Sequence, residues 1–395
     1  MHIQKHLIDR AKHTELNEIY WAVSLKTFAI SFVMIFIPIY LYNLGYTFLQ
    51  IFLFFAALYF FIAITNELSA RVIIKIGPKH TMALSFPLLV FFLWLLLTLP
   101  YYKWNLFLLA FVWGFEMAFF WMSYHIDFSK AKHKKTCASE LSRIEVLCTI
   151  FGAIAPFIGG FIASRFDISF TFLISIIFIV LASSPLFKTG EPHIRNYIDM
   201  KKIQPKKIYK DLISYIGMGI DFSAMTVIWP LFVFLLVKTY ELVGAIESIA
   251  LLLMVFITLI VGKLADHEDK QKLLKRGGFV NGSIWLVKAF SQTGLQVLMF
   301  NILNAITFPF LKLPFFSEFY LHADEEARIE YILWMERAVN LGRTALFLFL
   351  AFLSFYFDIK IVLIISFILA ALGAFMTSLM RPVVTETDKL CADSK

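Results

Sequence analysis

Twelve apolar segments run through the chain, and most of them are 18 residues or longer. A helix needs about 20 residues to cross the hydrocarbon core of a bilayer. Only helices and closed barrels satisfy every backbone polar group in lipid, and segments of this length favour helices. The sequence therefore predicts an all-α integral membrane protein with twelve transmembrane helices. The predicted spans are 20–42, 48–66, 81–99, 105–126, 144–163, 168–187, 209–237, 241–262, 278–292, 295–317, 336–357 and 360–380.

Composition excludes the soluble classes of protein. Of the 395 residues, 60% are hydrophobic and 16% are charged, whereas soluble domains have roughly 45–50% and about 25%. So few charged side chains cannot cover so much apolar surface in water. Disordered chains have the opposite composition. The formal charge of +8 lies mostly in loops between apolar segments, so it indicates membrane topology and not a nucleic-acid partner.

The loop charges predict the orientation of the chain. On one side of the predicted membrane, loops and tails carry 27 of the 36 lysines and arginines, and on the other side they carry 4. Basic loops stay in the cytoplasm. We therefore expect both termini in the cytoplasm, which requires an even number of spans, and a location in the plasma (inner) membrane.

The two halves of the chain share landmarks at a fixed separation, which indicates an internal repeat. The segment FIPIYLY at 36–42 parallels IWPLFVF at 228–234. Two acidic pairs keep the same register, at the start and the end of the fifth and eleventh spans. The matched residues, 191 or 192 positions apart, are Pro38 and Pro230, Glu145 and Glu336, and Asp167 and Asp358.

The repeat predicts two six-helix bundles joined by a linker. The first bundle covers residues 1–187 and the second covers residues 209–395. Residues 188–208 between them form a basic stretch, which we interpret as a cytoplasmic linker. The chain is thus expected to form two pseudo-symmetric bundles of six helices each.

A short motif between the eighth and ninth spans adds a family resemblance. Residues 262–266 read Gly-Lys-Leu-Ala-Asp, and the corresponding first-half loop keeps Gly77 and Lys79 but has Ile74 in place of the aspartate. With six plus six spans and parallel repeats, the chain resembles the major facilitator superfamily. The resemblance implies two halves that enclose a site at mid-depth, with the first, fourth, seventh and tenth helices lining it. It also makes Gly77, Lys79, Gly262 and Asp266 gating candidates.

The fifth span carries GAIAPFIGG, which is similar to the antiporter motif of that family and adds Pro156, Gly159 and Gly160 to the gating candidates. Several upstream glycines of that motif are replaced here. The fourth span has no counterpart of the arginine that many proton-coupled members carry. Both departures argue against a drug/proton antiporter.

Polar side chains inside the spans supply candidates for a substrate or proton pathway. An ionisable group at bilayer depth costs about 2.5–3.5 kcal/mol on insertion scales, so it usually faces a wet cavity or a partner. Helical spacing places Glu116 and Ser123 on one face of the fourth span, and Asn301 and Asn304 on one face of the tenth. The alternative for each is a structural hydrogen bond between helices. Two further pathway candidates are Asp221 in the seventh span and Ser31 in the first.

Charged residues near the cytoplasmic mouth supply further gating candidates. Glu145, Glu336 and Arg343 lie where bridges between the halves could form in one state and break in another. We expect Glu145 to meet a basic group, and Arg343 an acidic group, of the opposite half. Lys26 is expected to reach the lipid headgroups. Lys288 and Glu247 are expected to form a structural pair between neighbouring helices.

These features predict a secondary transporter that moves a small solute by alternating access, with the proton as the candidate coupling ion. An uncoupled facilitator or drug-type exporter, and a non-transporting receptor or scaffold on the same fold, remain alternatives. No nucleophile, zinc or phosphate-loop motif indicates an enzyme, a metal or a cofactor. The three cysteines have no metal or redox spacing. The expected partners are the solute, the proton as candidate coupling ion and the lipid bilayer; no nucleic acid is expected, and the protein is expected to be a monomer.

Overall fold

The protein is described here by a computed structural model that covers residue 17, residues 19–182 and residues 197–382. Helices make up most of this part of the chain, and no strand occurs in it. Both tails, Cys391 and residues 188–196 of the predicted linker lie outside the described residues. The fold belongs to the all-α membrane class that the sequence predicts.

Each of the twelve predicted spans coincides with a helical segment, and we number these segments α1 to α12. Nine of the described helices are apolar and long enough to cross a membrane. Helix α6 is described over 15 residues, and α9 and α11 carry several charged residues. The bounds are α1 Ile19–Asn43, α2 Phe48–Ile76, α3 Pro78–Tyr102, α4 Leu106–Ala131, α5 Cys137–Arg165, α6 Ile168–Ala182, α7 Tyr209–Val237, α8 Tyr240–His267, α9 Lys270–Lys288, α10 Gly294–Glu325, α11 Arg328–Leu353 and α12 Ile359–Thr377.

Several helices extend beyond their predicted spans into turns that carry charged residues, and the ninth and the eleventh are examples. The ninth was predicted at 278–292, but α9 begins eight residues earlier, where the Asp269 carboxylate caps it by accepting from the backbone N–H groups of Gln271 and Lys272. The eleventh was predicted from residue 336, but α11 begins at Arg328. Apolar runs mark the lipid-crossing part of a helix, whereas the polar turns continue past the hydrocarbon core.

Matching hydrogen bonds begin the second helix of each half. The Thr47 hydroxyl accepts from the Gln50 backbone N–H at the start of α2. The Thr239 hydroxyl accepts from the Leu242 backbone N–H at the start of α8. Such N-caps satisfy donors that the first helical turn leaves free. The two threonines lie 192 residues apart, so the repeat extends to the helix caps.

Both α1 and α7 change their helical pitch just before the repeated proline. In α1 a 3₁₀ turn at Met34–Phe36 precedes Pro38. In α7 a wide π turn at Ala224–Ile228 precedes Pro230. Proline lacks an N–H and its ring clashes with the carbonyl four residues earlier, so it interrupts the regular ladder. The repeat thus places an equivalent break in both helices.

The halves meet along two helix pairs that the repeat exchanges, α5 with α8 and α2 with α11. Small residues allow the first pair to approach closely. A Cβ atom on Gly160 would lie 2.5 Å from the Tyr240 carbonyl oxygen, and one on Gly244 would collide with the Pro156 carbonyl. In membranes, such small-residue contacts bring helix backbones together. The outer faces of the bundles instead expose many large apolar side chains, as lipid contact requires.

Candidate functional site

A cavity of about 200 Å³ lies between the two halves. Helices α4, α7 and α10 line it, as the family resemblance implies, but α1 contributes only Met34. Helices α2, α5 and α11 also contribute, which the resemblance did not imply. Helix α11 supplies five lining residues, namely Met335, Glu336, Val339, Asn340 and Arg343.

One charged pair in the cavity wall joins α5 to α10. Lys312 Nζ donates to Glu145 Oε2 at 2.5 Å, and both side chains are about one-fifth exposed. The two residues belong to different halves of the chain. The sequence predicted a basic partner for Glu145 in the opposite half, and the structure has this geometry.

A second pair of an acidic and a basic residue joins α4 to α11. His125 Nε2 lies 3.1 Å from Glu336 Oε1, and His125 Nδ1 lies 2.6 Å from the Tyr320 hydroxyl. Glu336 Oε2 also accepts from Asn340 Nδ2 at 3.0 Å. His125 of the first half therefore lies between Tyr320 and Glu336 of the second half, hydrogen-bonded to Tyr320 and 3.1 Å from Glu336.

The two pairs, Lys312 with Glu145 and His125 with Glu336, are related by the internal repeat. Glu145 and Glu336 occupy equivalent positions 191 residues apart. Their partners lie on α10 and α4, which are equivalent helices of opposite halves. In the repeat, His125 corresponds to position 316, and Lys312 lies one helical turn before that position. Each half thus contributes one carboxylate and one basic residue to these two pairs.

Arg343 and several aromatic rings complete the polar part of the cavity. Its guanidinium carbon lies 5.0 Å from the ring centroid of Tyr59 and 5.8 Å from that of Phe222. Among the described residues, Arg343 has no carboxylate within salt-bridge distance, and its buried Nε atom has no hydrogen-bond partner. The acidic partner predicted for it in the opposite half does not occur among the described residues. Trp121 and Tyr124 also line the space.

Hydrogen bonds between the halves close the side of the protein that carries the basic loops, which we call the basic side. Both carboxylate oxygens of Asp266 accept from backbone N–H groups at the start of α5, of Ala138 and Ser139, at 3.0 Å each. Lys132 Nζ donates to Asp324 Oδ2 at 2.6 Å. Gly262 lies directly against Ser142, so the Gly-Lys-Leu-Ala-Asp motif packs on the opposite half.

Contacts between the halves also occur at the other end of the cavity, which we call the opposite side. Asn43 Nδ2 donates to the Tyr240 hydroxyl at 2.8 Å. The ring of Phe36 packs edge-on against Tyr240 with centroids 5.5 Å apart, and the rings of Tyr42 and Phe234 lie 6.5 Å apart. Contacts between the halves therefore occur on both the basic side and the opposite side of the cavity.

A model of the Major Facilitator Superfamily matches residues 19–311, about three quarters of the chain. The chain belongs to the Major Facilitator Superfamily. No curated protein resembles it significantly in sequence.

Solved structures of this superfamily share the fold. The E. coli fucose:proton symporter FucP is 13% identical, with a TM-score of 0.65 over 92% of this chain and 96% of its own. The nucleoside transporter NupG is 12% identical, with a TM-score of 0.67 over 93% and 100%. The human organic anion transporter MFSD10 is 11% identical, with a TM-score of 0.65 over 93% and 99%. At such identities the likeness shows the fold alone.

The pathway candidate Glu116 lies inside the first bundle of this superfamily fold and not in the cavity wall. Lys26 Nζ donates to Glu116 Oε1 at 2.5 Å and lies 3.3 Å from the centroid of the Phe120 ring. Both charged side chains are buried. The expectation that Lys26 reaches the headgroups is therefore wrong, because α1 turns that face toward α4 and not toward lipid.

Asp221 lies in a buried polar network of the second bundle. Its carboxylate accepts from Trp285 Nε1 and, at 3.1 Å, from Asn281 Nδ2. Asn304 Nδ2 donates to Asn281 Oδ1 at 2.9 Å, and Lys288 Nζ donates to Asn304 Oδ1 at 2.5 Å. Neither Asp221 nor Asn304 lines the cavity. The polar stripe of α10 therefore bonds to its own bundle.

Lys288 and Glu247 do not form the direct pair that the sequence predicted. Lys288 lies 4.3 Å from the ring centroid of Trp229 and 4.1 Å from that of Trp285. Glu247 Oε2 accepts instead from Asn301 Nδ2 at 3.1 Å. Aromatic faces attract cations in a desolvated site, so the two tryptophan rings stabilise the Lys288 ammonium group in place of the expected Glu247 carboxylate.

The remaining candidates occupy packing positions. Ser123 is fully buried outside the cavity lining, and Ser31 faces Gly152 of α5. Gly159 packs against the Phe32 carbonyl where α1 is interrupted. Gly77 has a φ of +90°, which lets α2 turn into α3, and Lys79 beside it is buried. Pro156 and Gly160 lie in the α5–α8 contact.

Sequence reasoning missed two cavity residues, His125 and Lys312. His125 lies one residue before the end of the predicted fourth span, but α4 continues to Ala131, so the side chain lies inside the bundle. Lys312 lies between Pro309 and Pro314 of α10. The basic partner expected for Glu145 was a signal for Lys312, and the repeat extends the same reasoning to Glu336 and His125.

Proposed function

We propose that this protein is a secondary transporter that moves a small solute across the membrane by alternating access. The observation that supports this most is the cavity between the halves, whose wall contains two repeat-related pairs of an acidic and a basic residue. Rocking of two bundles about a fixed site breaks contacts between the halves and leaves those within each bundle intact. The contacts at both ends of the cavity are the ones that such a motion opens in turn.

We further propose that the solute is coupled to protons through Glu145 and Glu336. Their partners Lys312 and His125 lie in the opposite half, so opening the basic side would separate each carboxylate from its basic partner. A carboxylate that loses its cation at bilayer depth takes up a proton more readily. Glu116 and Asp221, the first candidates for this role, keep their partners inside one bundle and do not need to change state.

We propose that the protein lies in the plasma membrane and that its basic side faces the cytoplasm. The excess of lysine and arginine in the loops of that side supports it. The extents of the two bundles, residues 1–187 and 209–395, and the monomeric state belong to the same proposal.

Sided labelling of one cysteine tests alternating access. The three native cysteines are replaced by alanine, and Thr226→Cys is introduced in the cavity wall. A membrane-impermeant thiol reagent is then applied to right-side-out and inside-out vesicles. We expect labelling in both orientations, because each state opens the cavity to one side.

Two exposed positions serve as controls for sidedness. Tyr101→Cys lies at the end of α3 on the opposite side, and Lys275→Cys lies in α9 near the basic side. Each should label in one vesicle orientation only, and Lys275→Cys also reports which side is cytoplasmic. A scaffold that does not transport predicts that Thr226→Cys labels from one side at most, and that result would contradict the proposed function.

A further inference from the structure

We propose that Arg343 is the recognition site for a negatively charged group of the solute, and that the transported solute is a small organic anion with an apolar body. This inference rests on the proposed transport function and names the substrate class of the same cavity. It is carried by the contacts of Arg343 and by the walls around it.

One cation in the cavity wall has no acidic partner among the described residues. Glu145 is paired with Lys312, and Glu336 Oε1 lies 3.1 Å from His125 Nε2. Arg343 is the lining cation that has no carboxylate within salt-bridge distance among the described residues. Glu336 lies two helical turns away on the same helix, roughly 10 Å along the axis. A guanidinium in a low-dielectric space without a counter-charge is costly, and an anionic ligand removes that cost.

The geometry of Arg343 suits an anion that arrives with a ring or a branched chain. The guanidinium lies between Tyr59 of one half and Phe222 of the other, at 5.0 and 5.8 Å from their centroids. Arginine on aromatic faces keeps its N–H edges available for a bidentate contact with a carboxylate, sulfonate or phosphate. The buried Nε atom, which has no partner within the described chain, is one of those donors.

The rest of the wall is apolar and limits the size of the solute. Met34, Ile62, Met117, Met218 and Val339 line the space beside the aromatic rings. Drug-sized ligands occupy pockets of about 300–1,000 Å³, and this cavity measures about 200 Å³. A monovalent anion with a single ring or a short branched chain fits both the charge and the volume.

A matched set of probes tests the charge requirement. Phenylacetate, its neutral isostere phenylacetamide and the cation 2-phenylethylamine share one ring and differ in charge. We measure the dissociation constant and the melting temperature of the full-length protein in detergent with each probe. We expect phenylacetate to bind and to raise the melting temperature, and the other two to bind at least about tenfold more weakly.

Variants assign the effect to one side chain. Arg343→Gln should weaken phenylacetate binding by about tenfold or more, and Arg343→Lys should restore part of it, because lysine keeps the charge without the fork. Arg165→Gln, at an exposed position outside the cavity, is the matched control and should bind as the parent does. Uptake of phenylmethanesulfonate, which stays ionised and crosses lipid poorly, should be lost from Arg343→Gln vesicles.

The outcomes separate this proposal from the proposed function. If Thr226→Cys labels from both sides but no organic anion is preferred, or chloride and sulfate alone stabilise the protein, the anion assignment is overturned and transport stands. If phenylacetate binds equally to the parent and to Arg343→Gln, Arg343 is not the site. If Thr226→Cys labels from one side only, the transport proposal fails and this inference fails with it.

Discussion

The buried pair of Lys26 and Glu116 shows how a single contact constrains the first bundle. Both charged groups are removed from water and each is the other's partner at 2.5 Å. Removing one member of a buried pair leaves an uncompensated charge and costs about 3–5 kcal/mol. Replacing both by apolar side chains is often neutral.

We therefore expect Lys26→Met to reduce the free energy of unfolding by about 3–5 kcal/mol. The measurement is a lower melting temperature of the protein in detergent. The double variant Lys26→Met with Glu116→Leu should recover most of that loss. Lys360→Met, at an exposed position, is the control and should change little. A double variant as unstable as the single one would mean that Lys26 contributes through packing and not through the ion pair.

At the scale of single residues, the sequence predicted the positions that the repeat marks and missed those that depend on helix rotation. Glu145 and Glu336 were identified because they recur at a fixed separation, and the structure places both in the cavity wall. Helical periodicity shows which side chains share a face, but not which face meets lipid. Lys26 was assigned to the wrong environment for that reason.

At the scale of helices, the approach of α5 to α8 depends on glycine. Gly160→Ala would place a methyl group 2.5 Å from the Tyr240 carbonyl oxygen, so the two backbones would have to separate. We expect a loss of about 1–3 kcal/mol in stability, as for other overpacked contacts, measured as a lower melting temperature.

Gly294→Ala is the matched control for this helix contact. Its added methyl group would meet only Val237 Cγ1, at an ordinary 3.4 Å. If both variants melt at the same temperature as the parent, the α5–α8 contact tolerates a wider spacing and glycine is not required there.

The existence of the helices was predictable, and their ends were less so. Runs of apolar residues located all twelve spans because lipid demands them. The ends of α9 and α11 extend into charged turns, where caps such as Asp269 and tertiary packing decide the boundary. The pitch changes in α1 and α7 coincide with Pro38 and Pro230, yet their 3₁₀ and π geometry needed the structure.

For the whole molecule, the test of coupling is whether the carboxylates between the halves respond to pH. With a pH gradient imposed across vesicles, we expect the relative labelling of Thr226→Cys from the two sides to shift. The double change Glu145→Gln and Glu336→Gln should abolish the shift, because neither amide takes up a proton. Tyr101→Cys and Lys275→Cys correct for the reactivity of the thiol itself.

The change Glu116→Gln with Asp221→Asn is the comparison for this experiment. It alters two carboxylates that stay within their own bundles, so the shift should persist. If it disappears there and persists in the Glu145 and Glu336 variant, the coupling groups are those first expected from the sequence.

The whole architecture was the most predictable level, and the contacts between the halves the least. Span count, repeat and loop charge each follow from local composition. The cavity depends on which helices of opposite halves touch, and α2, α5 and α11 contribute to it beside α4, α7 and α10. Their contribution follows from the pairing of α5 with α8 and of α2 with α11, which no single segment encodes.

The repeated prolines have one more consequence. Met34 and Thr226 lie four residues before Pro38 and Pro230, and both border the cavity. A molecule that occupies the cavity therefore contacts α1 and α7 at the turns where the regular helical pitch of each is interrupted. The size and shape of that molecule therefore act on the bend of both helices at the same place.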